Sequence, residues 1–297
     1  MSSIHVPLSR STTYAALRAL PMSRRDIERQ LRAGILVRAR RGRYVWVGTP
    51  PEALAAARWG GRLDCVSLLV LLGVFVQTTA ALHIQLNPNA SRLPPRDGRV
   101  RAHWRPTASG ADDLVTDLVE ALAQACRCQN ARAAVATLDS AWHLGLVDES
   151  QIAAVFALLP ARYGLLRRLL DRRSESGPET LVRLILRSLG CRIEVQVLVP
   201  GVGRVDLLVD GWLIVECDSR AFHSSWEAQR NDRRRDSAAA ARGFATFRVI
   251  AEDVLFHSED VRAALDGLVH QGRRRRAHNS GSSGRSSQRD PLRRGAA

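Results

Sequence analysis

One stretch of fifteen residues, VDLLVDGWLIVECDS at 205–219, restricts what this chain can fold into more than any other. Its odd positions Val205, Leu207, Val209, Leu213, Val215 and Cys217 are apolar, while the even positions include Asp206, Glu216 and Asp218. Alternation with a period of two marks strands with one buried face, and Asp210-Gly211 between the runs is hairpin-turn chemistry. A two-residue turn would pair residues whose numbers sum to 421, setting odd beside even and splitting the apolar set between the two faces. The pattern therefore demands a three-residue loop or a bulge, with Gly211 taking the unusual backbone angle. In that register Asp206, Glu216 and Asp218 share a face with Leu208, Trp212 and Ile214, which makes it a partly covered cleft.

Carboxylates crowded on a semi-apolar sheet face repel one another and raise each other's pKa unless a cation neutralises them. A hard divalent ion with oxygen ligands, Mg²⁺ or Mn²⁺, meets that need with Asp206, Glu216 and Asp218 as ligands, and suits phosphodiester hydrolysis. His223 lies close by in sequence as a proton carrier at neutral pH, and Glu179 opens the preceding helix. The competing reading is a strand whose acids merely face solvent.

The flanking sequence extends the pattern. Pro178 suits a first helical turn, and Leu181, Leu184, Ile185 and Leu189 give a helical face ending at Gly190. Strands are expected over 192–199, 204–209 and 212–217. A capping box at Ser224 and Glu227 opens a long helix to Arg242, followed by a strand over 244–250 and a helix near 258–270. The order is helix, three strands, helix, strand, helix.

The helix with Glu179, then Asp206, Glu216-Cys217-Asp218 and His223, the Arg-rich Asp232-Arg233-Arg234-Arg235-Asp236 and the strand Phe244-Ala245-Thr246-Phe247-Arg248 resemble the very-short-patch-repair-like branch of the PD-(D/E)xK nucleases over about 95 residues. The resemblance implies a restriction endonuclease-like αβββαβα domain at 174–271. In it Asp206 and Glu216 are metal ligands, Glu179 is a further ligand or water holder, and His223 takes part in proton transfer. Asp218 stands where many superfamily members carry a lysine, and this chain has no Lys at all, which removes the lysine-dependent mechanism. Arg233, Arg234 and Arg248 are candidates for phosphate contact, although Asp232 and Arg235, three apart on a helix, are spaced to pair.

Charge is concentrated at the ends: residues 1–50 hold ten Arg against Asp26 and Glu28, residues 272–297 hold eight Arg against Asp290, and 51–271 balance at 26 each. Basic ends on a neutral body imply a polyanionic partner, with DNA the expected one. The first 50 residues read as a helix over 11–20, stopped by Pro21; a second helix from Arg24 to Ala33, opened by a Ser23–Asp26 capping box and closed by Gly34; and a hairpin around Arg41-Gly42. Arg24, Arg25, Arg29 and Arg32 line the second helix, and Arg38, Arg40, Arg41 and Arg43 stud the hairpin. This is the shape of a winged helix-turn-helix, and its Gly34 and Arg41-Gly42-Arg43-Tyr44 resemble the winged-helix part of AbiEi-type abortive-infection antitoxins. That resemblance implies a cognate partner protein in a toxin–antitoxin or defence system.

Residues 51–173 read as a mostly helical α/β scaffold: a helix at 64–72, strands at 82–86 and 100–104, and helices over 112–126, 130–144, 150–158 and 162–172. His83, His103 and His143 occur singly and are expected as ordinary packing or surface histidines, and Cys65, Cys126, Cys128, Cys191 and Cys217 lack paired spacing and are expected as reduced, mostly buried thiols. Residues 174–177 are expected to be a hinge, and 272–297 a disordered Arg-rich tail. The most apolar stretch, 66–76, is too short to span a bilayer, and the N-terminus lacks a secretory core, so no membrane contact and a cytoplasmic setting are expected. Two functions compete: a Mg²⁺-dependent deoxyribonuclease, and a catalytically inactive DNA-binding regulator of the antitoxin type.

Overall fold

The computed structural model describes residues 10–20, 22–95, 97–218 and 226–282. The chain forms two compact units, 1–181 and 182–297, and its strands build three small sheets. Among the described residues no helix is long and apolar enough to cross a membrane.

The first unit begins with β1 (Thr12–Thr13), α1 (Tyr14–Ala19), α2 (Arg24–Arg32), β2 (Leu36–Arg40) and β3 (Arg43–Trp46), with strand order β1-β3-β2. Ser23 and Asp26 form the reciprocal capping box expected at the start of α2, and Gly34 and Gly42 take the positive φ values their turns need. The first helix is shorter than expected, because Thr12 and Thr13 pair with Tyr44 and Arg43 in extended conformation and Thr13 then caps α1. Leu17, Ile27, Leu36 and Tyr44 close a small core under these elements. Ser11 hydrogen-bonds Asp112, Arg43 pairs with Asp112, and Arg10 pairs with Asp113 at 2.9 Å, so this segment is sewn to the residues after it.

There follow α3 (Pro51–Arg58), which the pattern did not suggest, β4 (Arg62–Leu63), α4 (Cys65–Leu71), β5 (Leu82–Leu86) and β6 (Val100–Trp104). The sheet order is β4-β5-β6, with β5 and β6 parallel. Four helices come next: α5 (Leu118–Cys128), α6 (Ala131–His143), α7 (Glu149–Ala157) and the short α8 (Gly164–Arg167). The helix expected from 112 starts only at 118, because Val115 bridges Leu63 and Thr116 donates to buried Asp64 before Asp117 caps α5. The helix expected over 162–172 reduces to a 3₁₀ turn and α8, in a segment that carries the poor helix former Gly164. Residues 174–177 are no exposed hinge: Ser174 is buried, and a Cβ on Gly177 would meet the Phe75 ring at 2.3 Å.

The division between units falls within α9 (Gly177–Ser188). Beyond it come β7 (Ile193–Val199), β8 (Gly203–Val209), β9 (Leu213–Asp218), α10 (Trp226–Ala241), β10 (Ala245–Ile250), α11 (Ala251–Phe256) and α12 (Ser258–Ser282). The sheet order is β10-β9-β8-β7, with β7, β8 and β9 antiparallel and β10 parallel to β9. The β8–β9 hairpin closes at Val209↔Leu213 and runs through Leu207↔Val215, which leaves the three-residue loop 210–212 that the apolar parity required, with Gly211 at φ +70°. Val205, Leu207, Val209, Leu213 and Val215 are accordingly buried. Ile214 and Leu208 pack with Val199, Val202 and Ala239 of α10, and Val205 joins this cluster, so the division of odd and even residues between two faces does not extend to Val205. α11 was not anticipated, and α12 continues through residue 282, so the expected disordered tail is helical in its first part. Gly272 lies where a Cβ would meet Trp212 at 2.1 Å, which accounts for a glycine inside this helix.

Candidate functional site

The carboxylate face is built on β8 and β9. The paired rungs of the hairpin end at Leu207↔Val215, and Asp206, the next residue of β8, reaches β9 through its side chain and lies close enough to Glu216 for its charge to act on it. Both neighbours of Asp206 turn polar groups toward it: the Cys217 N–H donates to its Oδ2 at 2.9 Å, and the Gln196 side-chain amide donates to its Oδ1 at 3.3 Å. Gln196 sits between the pairs Val195↔Leu207 and Val197↔Val205 with φ +53°, a left-handed angle rare for a side chain of this size. The backbone is thus strained where β7 passes the Asp206 carboxylate, the kind of cost that persists at sites held by their surroundings.

Glu216 is 8% exposed. Its Oε1 accepts from Arg235 at 2.9 Å, and its Oε2 lies 2.8 Å from an Arg248 guanidinium nitrogen. Burial pushes the Glu216 carboxyl above the usual glutamate range; Arg248 and Arg235 work against that shift, and Asp206 and Asp218 add to it. Asp218 is exposed and lies 3.3 Å from Arg248, which also pairs with Asp236 at 3.1 Å and Asp232 at 3.7 Å. The acids of β9 and α10 and the guanidiniums of Arg235 and Arg248 therefore form one network, beside which Asp206 acts on Glu216 through its charge. Arg235 was read only as a partner of Asp232; here that contact is long, at 4.0 Å, and Glu216 is the nearer one.

The remaining expected residues are distributed as follows. Glu179 is buried in the first unit's share of α9, its Oε2 accepting from the Glu175 N–H at 2.9 Å. His223 and the Ser224 half of the capping box lie outside the described residues. Arg24, Arg25, Arg29, Arg32, Arg38 and Arg41 are exposed, with Arg24 paired to Glu28 and Arg29 to Asp26. Arg40 and Arg43 are partly buried and serve the fold: the Arg40 guanidinium lies against Gly60, and Arg43 bonds Ser11 and Asp112. Arg233 lies 6.0 Å over the Trp226 ring, and Arg234 is exposed.

A second cluster lies in the first unit, where none was expected. One ligand atom from each of Cys65, His83, His103 and Cys128 lies within 4.8 Å of the others, and among the described residues this is the group of three or more His, Cys or acidic side chains close enough to share an ion. His83 Nδ1 and His103 Nε2 are 3.1 Å apart, and Cys128 Sγ is 3.9 Å from His103 Nε2. Burial pushes the Cys65 thiol up, whereas Cys128 is pushed down because Cys65 and the two imidazoles can donate to its sulfur. Linear spacing hides this group, since the members are widely separated along the chain. The available signal was strand parity: His83 and Gln85 alternate onto one face of β5, and their partners Arg101 and His103 onto the same face of β6. His143 is an exposed surface residue, its Nδ1 3.2 Å from the Arg172 carbonyl.

No protein-family model and no curated protein matches this chain.

Proposed function

We propose that the second unit is a divalent-metal-dependent phosphodiester hydrolase of restriction endonuclease-like fold that acts on DNA in the cytoplasm, and that the N-terminal helix and hairpin add duplex affinity as a winged helix. The observation that carries the reading is the closeness of Asp206 and Asp218 to Glu216, whose charged form both disfavour, beside a strained point of the sheet. The succession of helix, antiparallel β7–β8–β9, helix, parallel β10 and helix suits an αβββαβα core. Asp206, Glu216 and Asp218 are the residues that would hold Mg²⁺ or Mn²⁺; their oxygens are not gathered closely enough to share an ion as they stand and would have to draw together around it. They are all hard oxygen donors, and Asp206 and Asp218 already disfavour a lone charge on Glu216. When bound, the ion would polarise the phosphodiester and lower the pKa of its water. Arg235 and Arg248 stand beside the carboxylates in a chain without lysine and would exchange Glu216 for phosphate oxygens, while His223 would carry the proton.

A second reading, the inactive DNA-binding regulator, draws on one feature: both oxygens of Glu216 are already satisfied by guanidiniums, which can compensate the acids without a metal. Plasmid cleavage separates the two. Supercoiled DNA should be nicked or linearised with Mg²⁺ or Mn²⁺ and spared with EDTA. Asp206→Asn and Glu216→Gln should each lose at least about 10²-fold in rate, the order expected when a metal ligand or its orientation is lost. Wild-type protein that binds duplex but leaves it intact at any metal concentration supports the regulator.

A further inference from the structure

We propose that Cys65, His83, His103 and Cys128 hold one structural zinc ion. With Zn–N of about 2.0–2.1 Å and Zn–S of about 2.3 Å, a tetrahedral Cys₂His₂ site sets neighbouring ligand atoms roughly 3.3–3.8 Å apart. The distances of 3.1 Å between the imidazole nitrogens and 3.9 Å from nitrogen to sulfur bracket that range, and all four atoms fall within 4.8 Å. Shifts of up to about 1 Å complete the cage.

The donor set selects the metal: two thiolates and two imidazoles are soft or borderline ligands that suit zinc and do not suit Mg²⁺ or Ca²⁺. Four protein ligands leave no open position for substrate or water, so the site is structural. Its members come from four elements: the first residue of α4, strands β5 and β6, and the last residue of α5. One ion would therefore pin the sheet to two helices in a part of the chain whose strands are only two to five residues long.

The surroundings hold these ligands from behind. Cys65 has φ +55°, a costly angle for a non-glycine residue. It is kept there by its neighbour Asp64, whose buried carboxylate takes two bonds from Arg105 and one from Thr116. The His83 N–H donates to Ser67 Oγ at 2.8 Å, fixing the strand at that residue. The Gln124 amide donates to Cys128 Sγ at 3.4 Å, a contact that steadies a coordinating thiolate. On binding, the two thiols release their protons to solvent and the imidazoles coordinate as neutral rings, so uptake is favoured as pH rises.

The test uses the full-length chain, grown with zinc and purified under reducing conditions. Native mass spectrometry and elemental analysis should find one zinc per chain. After chelation, one equivalent of Co²⁺ should give the visible d–d bands of tetrahedral cobalt and a thiolate-to-cobalt charge-transfer band. Chelation should also lower Tm by roughly 5 °C or more, the scale of a few kcal/mol for a unit of this size. Cys65→Ser and Cys128→Ser should lose the charge-transfer intensity, and Cys191→Ser, in the other unit, should keep it. Because a ligand variant can fail to fold, the cobalt spectrum of the wild-type chain is decisive by itself. Folded wild-type protein that carries no zinc and shows only octahedral cobalt overturns the proposal. An intact mass lighter by two hydrogens, mapped to Cys65–Cys128 in freshly reduced and desalted protein, overturns it in favour of a disulfide.

Discussion

Glu216 and Arg248 respond to their contact in ways that look opposed: burial pushes the Glu216 carboxyl up, toward its neutral form, while hydrogen bonding to Asp236 and the charges of Glu216, Asp236 and Asp218 outweigh burial at Arg248 and push it up, toward its charged form. The geometry favours an ionised pair, because Glu216 has a guanidinium at each oxygen within 2.9 Å. Glu120 offers a cleaner titration. Burial alone would raise its pKa, but the Ala108 N–H, the Thr107 hydroxyl and Arg105 outweigh that and hold it below the usual glutamate range. A depressed carboxylate adds stability that is fully present above its unfolded value, about 4.3, and is lost as pH falls through the folded value. Thermal melts of wild-type protein between about pH 6 and pH 3 should therefore show Tm falling with acid, and Glu120→Gln should start lower at neutral pH and fall less. Parallel wild-type and variant curves across that window would take Glu120 out of the acid response.

At the scale of elements, the β8–β9 hairpin shows how far parity alone reaches. The loop length and the burial of Leu207, Val209, Leu213 and Val215 follow from alternation of residue type, because a strand's side-chain period of two leaves one register compatible with burial. Gly211 tests the turn itself: it has φ +70° and open space where a Cβ would point. Substitution there acts through the backbone. Gly211→Val should cost about 1–2 kcal/mol, while Gly211→Asn, which tolerates the left-handed region, should cost only a few tenths. Equal losses for the two in urea melts would show that the side chain and not the angle matters. What parity could not reveal are features that depend on which elements become neighbours. The Arg235–Glu216 contact joins α10 to β9, and the Cys65–His83–His103–Cys128 group joins two helices to two strands; neither has a local spacing to read. The α3 helix escaped for a different reason: three of its four alanines are buried, but alanine carries little periodic signal.

For the molecule as a whole, the basic N-terminus divides into arginines that build the fold and arginines that face outward, and the division predicts separate readouts. Arg25, Arg32, Arg38 and Arg41 are exposed, whereas Arg43 is half-buried between Ser11 and Asp112 in the seam that joins the first strands to the rest of the unit. Deleting residues 1–50 would confound the two groups, since it strips Asp112 and Asp113 of their arginine partners. Point variants keep them apart. If the outward set contacts duplex phosphates, each arginine replaced by alanine should reduce the slope of log K against log salt by up to about 0.9, the counterion release per phosphate on B-DNA. The fourfold alanine variant should thus flatten the slope by up to about 3.6 and leave Tm nearly unchanged, because exposed charges contribute little to stability. Arg43→Ala should do the reverse, lowering Tm by a few degrees with the slope intact. Fluorescence anisotropy of a labelled duplex across a salt series, with thermal melts of the same samples, checks both. A fourfold variant whose slope matches wild type would place the phosphate contacts elsewhere, with the Arg-rich C-terminal residues the next set to change.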